Sequence, residues 1–155
     1  MKLNQRRLAA LGIIGALAAL TTFLIGPRIV FNDTASEPIG IYWRTNEEPS
    51  PGDFVEVRAA DLPYFYSWAP PYLLKRIAAV APAQAKVDDS GVFINGQYLG
   101  PRPRSSLVKP FYWDGPLPPK SVWLYGKPDK SFDSRHFGPV RLAVLSKRIV
   151  PVWTF

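Results

Sequence analysis

The chain has no cysteine and a single histidine, His136, and these two scarcities remove much of the familiar catalytic repertoire. Without thiols there is no disulfide, no thiolate nucleophile and no cysteine metal site, so stability must come from packing. One imidazole is too little for a histidine-rich metal centre or an ordinary Ser-His-Asp triad, so any chemistry must use other groups, and no metal or cofactor is expected. Internal repeats and recognisable nucleic-acid motifs are also missing. Long apolar runs are scarce too, for there is one.

That run extends from Leu8 to Ile25, about 18 residues that are apolar, small or threonine, just enough to cross a bilayer as a helix. Lys2, Arg6 and Arg7 precede it and Arg28 is the first charge beyond it, a bias that puts the N-terminus in the cytoplasm and the rest of the chain outside. Residues 1–27 therefore read as a membrane anchor or signal segment, and 28–155 as one folded domain. Ala16-Leu17-Ala18 resembles a signal-peptide cleavage site, but it lies inside the run rather than after it, which favours a retained anchor. A buried core helix fits less well, because the run is apolar on every face. Much of the formal charge of +7 belongs to this topology signal. The remaining basic residues are scattered, with Arg102 and Arg104 in one loop and Lys147 and Arg148 near the end, so no nucleic-acid partner is expected.

The domain has enough apolar and aromatic residues, 47% and 14% of the chain, to build one core. Its 17 prolines and 11 glycines follow no period and punctuate many short elements. Asn32 to Gly40 should be extended or turning, since Pro38 disfavours helix at Glu37. After the turn at Pro51-Gly52, Phe54-Val55-Glu56-Val57 alternates like a half-buried strand, and the sheet is expected to begin there. Tyr64, Phe65, Tyr66 and Trp68 lie in an irregular excursion over 59–71 and suit either a membrane interface or the core. Leu73 to Val80 predicts a buried strand, Asn95-Gly96 a hairpin within Val87 to Leu99, Ser121 to Tyr125 a strand, Gly126 to Gly138 a long loop and Val140 to Val152 more strand. A proline-rich stretch from Gly100 to Lys120 shows little periodicity. The fold class expected is mainly β and antiparallel, with Greek-key or barrel-like connections behind one transmembrane helix.

Three segments could carry chemistry. A serine beside proline, as in Ser36-Glu37-Pro38, is usually a solvated turn residue. Lys75 stands among Leu73, Leu74, Ile77 and Val80, where a cation must either snorkel to water or be buried. Asp133-Ser134-Arg135 reads as a hydrogen-bonded turn with an ion pair or as support for a site. Each alone is weak.

Together they carry a resemblance. Asn32-x-x-x-Ser36-x-Pro38-x-Gly40-x-Tyr42, Pro51-Gly52-Asp53, Leu73-Leu74-Lys75-Arg76 and Ser131-x-Asp133-Ser134-Arg135-x-x-Gly138 occur in the order and spacing of the Ser-Lys signal peptidase superfamily. The chain is most similar to the conjugative-transfer signal peptidases of the TraF type, over most of its length. It departs from that pattern after the lysine strand, where Ala81-Pro82-Ala83-Gln84 replaces a frequent Pro-Gly-Asp. The resemblance implies a barrel-like signal-peptidase fold, with a serine peptidase domain at 28–155. It makes Ser36 the nucleophile, Lys75 the general base, and the Thr34 hydroxyl with the Ser36 N–H an oxyanion hole. Ser131 would orient Lys75, and Asp133 and Arg135 would brace the loop, with a direct action of Asp133 on Lys75 as the alternative; His136 is a bystander.

The chemistry is coherent. Desolvation lowers a lysine pKa and a neutral amine can activate serine, whereas arginine cannot replace it. An oxyanion donor is typically worth about 2.7–4 kcal/mol. The implied protein is an endopeptidase of the bacterial inner membrane, facing the periplasm and cutting exported precursors, with a conjugative pilin as the expected partner. A general type I signal peptidase and a non-catalytic anchored scaffold of a secretion complex are the alternatives.

Overall fold

The computed structural model describes residues 4–64, 67–103 and 110–155; Lys2, Phe65, Tyr66 and Arg104 lie outside them. Helix α1 (Gln5–Ile25) takes up the apolar run and ends where Gly26-Pro27 turns the chain. Arg7–Arg28 has a mean hydropathy of 2.3, is long and apolar enough to cross a membrane, and buries nothing against the domain.

Beyond it the chain is antiparallel β. Strands β1 (Ile29–Asn32), β2 (Gly40–Arg44), β3 (Phe54–Arg58), β4 (Tyr72–Val80), β5 (Gln84–Asp88), β6 (Gly91–Ile94), β7 (Gln97–Gly100), β8 (Trp113–Pro116) and β9 (Ser121–Tyr125) precede a one-turn helix, α2 (Ser134–Phe137). Strands β10 (Val140–Arg141) and β11 (Ile149–Thr154) follow. Seven strands form one sheet in the order β1-β2-β11-β3-β4-β9-β10, and four form a second, β7-β6-β5-β8. Each sheet has two edges, so the barrel-like expectation is met by two open sheets rather than a closed cylinder.

The large sheet begins at Ile29, not at Phe54 as the sequence pattern suggests. β1 is four residues long and adjoins the apolar run, so its alternation is hard to separate from the helix signal. The Val140 to Val152 stretch divides into β10, a 3-10 turn at Leu142–Val144 and β11, which crosses back to pair with β2. β8 lies in the proline-rich stretch, where periodicity gave no sign of it. The hairpin forms between β6 and β7, with Asn95 (φ 50°) and Gly96 (φ 78°) both left-handed, as its tight turn requires.

β4 lies between β3 and β9, and three consecutive residues, Leu73, Leu74 and Lys75, are buried. Side chains alternate along a strand. Leu73 and Ile77 join one apolar cluster with Val55, Leu124 and Phe137, while Leu74 joins Val30, Tyr42, Phe54 and Ile149 in another. A third, around Trp123, Ala79, Val87 and Val92, fastens the small sheet to the end of β4 and β9. Tyr64 and Trp68 are exposed, and the Trp68 ring meets Phe132 edge-on.

Gly40, the first residue of β2, faces Thr154 of β11 at φ 154°. A Cβ there would lie 2.1 Å from the Trp153 carbonyl oxygen. Gly40→Ala should force the backbones apart and cost roughly 1–3 kcal/mol or more. Denaturant unfolding of the full chain in detergent checks this; an unchanged midpoint would show that the close approach of β2 and β11 is not required.

Candidate active site

Ser36 lies in the loop between β1 and β2, and Asn32 organises that loop from a buried position. Its Nδ2 donates to the carbonyl oxygens of Thr34, Glu37 and Pro38 at 2.9, 3.0 and 3.0 Å. Three carbonyl acceptors around one nitrogen fix which way the amide points, so Oδ1 faces Thr34 as an acceptor only. The Thr34 hydroxyl donates to it at 2.9 Å. Thr34 has a single hydroxyl proton, so in its 3.2 Å contact with Ser36 the serine hydroxyl is the donor.

Lys75 is 3% exposed and shares a strand face with Leu73 and Ile77. Burial lowers its pKa to about 8; Asp133 and Glu37 pull it upward and Arg135 pushes it further down. A drop from 10.5 to about 8 puts a penalty on the order of 3 kcal/mol on the charged amine. β4 pairs with β9 through Arg76↔Tyr125 and Ile77↔Leu124, and continuing that register sets Gly126 opposite Lys75.

Gly126 opens the loop that carries the third segment. Asp133, fully buried, caps α2 and accepts from Gly126 N–H (2.9 Å), Arg135 N–H (3.1 Å), Arg135 Nε (2.9 Å) and Arg135 Nη2 (2.9 Å). Arg135, equally buried, donates from Nη2 to the carbonyls of Gly126 and Pro128 and lies over the Tyr125 ring. Ser134 Oγ accepts from Leu124 N–H, tying α2 to β9. The buried pair thus spends its hydrogen bonds on the loop; the Asp133 carboxylate makes none to Lys75. His136 Nδ1 accepts a long bond, 3.5 Å, from the Asp133 N–H and takes part in the cap, and burial pushes its pKa down.

Gly126 is where the loops meet. A Cβ on it would lie 2.1 Å from Ser131 Oγ and 3.2 Å from the Ser36 carbonyl oxygen, so the missing side chain is the space both occupy. Ser131 Oγ is buried and, among the described residues, without a hydrogen-bond partner. The structure therefore brings Ser36, Ser131 and the end of β9 together beside the Lys75 strand. Among the described residues, however, no hydrogen bond joins Lys75 Nζ to either serine. A groove of about 320 Å3 runs past Ser36, Pro38 and Ile39, with Lys127, Pro128 and Phe155 along it. Sequence reading gave no part to three residues here. Asn32 stood in the quoted motif with no role, Gly126 read only as the start of a loop, and Glu37 is a charge in an otherwise turn-forming segment whose burial only the fold reveals.

The family model of the signal peptidases, peptidase S26, matches residues 5–153, nearly the whole chain. The chain belongs to that family, a family of serine peptidases. Two curated relatives from Escherichia coli, both described as plasmid transfer protein TraF, are each 29% identical over 178 residues. The match covers 97% of this chain and 98% and 97% of theirs. A crystal structure of a signal peptidase I from Enterococcus faecalis aligns with a TM-score of 0.46 at 18% identity, covering 67% of this chain and 98% of its own.

In this family member the Gly126 contact can be tested directly. Gly126→Ala should displace Ser131 and the Ser36 loop, destabilise by roughly 1–3 kcal/mol, and lower precursor processing at least tenfold. Unfolding and processing assays on the same sample check it; wild-type values in both would mean that the two loops need no such close approach.

Proposed function

We propose that this chain is a membrane-anchored Ser-Lys endopeptidase that processes exported precursors, with a conjugative pilin subunit as the leading substrate. Residues 1–27 serve as the anchor, and the domain at 28–155 works on the periplasmic face of the bacterial inner membrane. The observation that carries the reading is an amine buried in a central strand, with its pKa lowered to about 8, at the point where the Ser36 and Ser131 loops converge on Gly126. The two relatives described as plasmid transfer proteins favour a substrate of the transfer apparatus over preproteins in general.

In this reading Ser36 Oγ turns from Thr34 towards neutral Lys75, which takes its proton as Oγ attacks the scissile carbonyl carbon. The oxyanion that forms is held by Ser36 N–H and, once the Thr34 hydroxyl leaves Asn32, by Thr34. Exchanging the Asn32 bond costs about 1 kcal/mol, less than an oxyanion donor contributes. Protonated Lys75 then gives the proton to the departing amine, leaving an acyl-Ser36. Water attacks that ester while Lys75 takes the water's proton; as the acyl–oxygen bond breaks, Lys75 gives this proton to Ser36 Oγ, and the acid leaves with serine and neutral amine restored. Ser131, whose hydroxyl is uncommitted among the described residues, would turn to the amine and orient it as the reaction proceeds, while Asp133 and Arg135 keep the loop rigid. Substrates held by their own apolar segment in the same bilayer meet the site at high effective concentration.

Processing of a precursor by wild type, Ser36→Ala, Lys75→Ala and Lys75→Arg at matched expression tests the assignment. Wild type alone should be active; equal processing by all four would reject it. Turnover should also rise with pH as one proton leaves an amine near pH 8, because the charged form cannot act as a base. A limb near the ordinary lysine value of about 10.4 would speak against a desolvated base.

A further inference from the structure

The nucleophile loop holds one buried carboxylate for which the chemistry above has no use. Glu37 follows Ser36, its side chain is wholly buried, and neither carboxylate oxygen has a hydrogen-bond partner among the described residues. A buried carboxylate without a hydrogen bond is costly, so its presence calls for an explanation. Its ion-pair partner is Arg76, the residue after Lys75, whose Nη2 lies 3.7 Å from Glu37 Oε2, inside ion-pair range and outside hydrogen-bond range.

That guanidinium is held from its other sides. Nη1 donates to the Gly52 carbonyl at 3.0 Å, and the group lies 4.1 Å over the Phe54 ring. The Gly52 turn is itself bound to β4, since Gly52 N–H donates to Ile77 O and Ile77 N–H to Asp53 O. Arg76 is thus a fixed cation, and Glu37 reaches it from the serine loop. In sequence, Glu37 follows Ser36 on one segment and Arg76 follows Lys75 on the other. By strand alternation Arg76 lies on the face of β4 opposite Lys75.

We propose that Glu37 is a positioning residue, whose ion pair with Arg76 holds the segment carrying Ser36 in register with the strand carrying Lys75. This rests on the reading of Ser36 and Lys75 as nucleophile and base. Asn32 gathers the loop from within and Gly126 lets it approach β9, but among the described residues Glu37–Arg76 is the only ion pair between the loop and β4. Lys75, Lys127 and Tyr42 also act on the Glu37 carboxyl electrostatically; burial pushes its pKa up while the cations, Arg76 foremost, oppose that. A displacement of about 1 Å at a nucleophile can cost a hundredfold in rate, so a modest tether suffices to matter.

The test is a double-mutant cycle of Glu37→Gln and Arg76→Gln on the full chain in detergent micelles. The probe is a synthetic precursor with an apolar segment followed by small residues, and unfolding midpoints are measured in parallel. Each single variant should lower kcat about tenfold with KM within about twofold. The double variant should be no slower than the slower single, because both remove one contact. Folded singles with wild-type kcat, or losses that multiply, would overturn the proposal. If Arg76→Gln strands the carboxylate and fails to fold, Glu37→Met/Arg76→Met removes both charges; it should fold and still lose about tenfold in kcat, and full turnover would overturn the proposal. Ser36→Ala is run alongside. If it processes the precursor as wild type does, the reading of the site fails and the tether with it; if it is inactive while the Glu37 and Arg76 variants run at wild-type speed, the tether alone fails.

Discussion

A lysine side chain buried in the middle of a sheet is the constraint on which the rest of this structure turns. Lys75 lies on the strand that three elements of the fold bury: β3 on one side, β9 on the other, and the loop from Gly126 to Gly138 beyond. Burial among neighbours such as Leu73 and Ile77 lowers the pKa of the amine to about 8, so a far larger fraction of it is neutral near pH 8 than in a solvated lysine. Asp133 works against that effect electrostatically but commits its hydrogen bonds to Gly126 and Arg135. The carboxylate therefore stabilises a loop without capturing the amine.

Around that amine the chain saves space where side chains would separate its parts. Gly126 has no Cβ at the point where Ser131 and the Ser36 backbone converge, and Gly40 has none where β2 and β11 touch. Polar groups fix what packing cannot: the Asn32 amide holds three carbonyls of the serine loop, and the Asp133–Arg135 pair holds the Gly126 loop. A direct consequence is that Thr34 begins as the acceptor of the Ser36 proton. Its proposed part in the oxyanion hole requires a change of partner.

Much of the fold was legible in the residues, for identifiable reasons. Asn95-Gly96 specifies a tight turn by left-handed backbone alone, and Leu73 to Val80 is apolar enough to announce a buried strand. What escaped were elements whose pattern is brief or ambiguous: β1 beside the apolar helix, β8 among prolines and β11 hidden in a stretch read as continuous with β10. The Asp133–Arg135 pair was foreseen as a brace, and the structure adds that both are fully buried. The expected Ser131 bond to Lys75 is not formed. Nothing local could reveal the burial of Glu37 or the meeting at Gly126, because each depends on segments that only the sheet brings together.

The account stands on the protonation of one group, and that can be observed without any substrate. Selective 13C labelling at lysine Cε, with Lys75→Met used to assign its resonance, would follow the amine in the full chain by NMR as pH is raised. The Lys75 signal should titrate with a midpoint about 8. A midpoint near the solvated lysine value of about 10.4 would contradict the account, since the amine would then keep its proton where it is needed to take one.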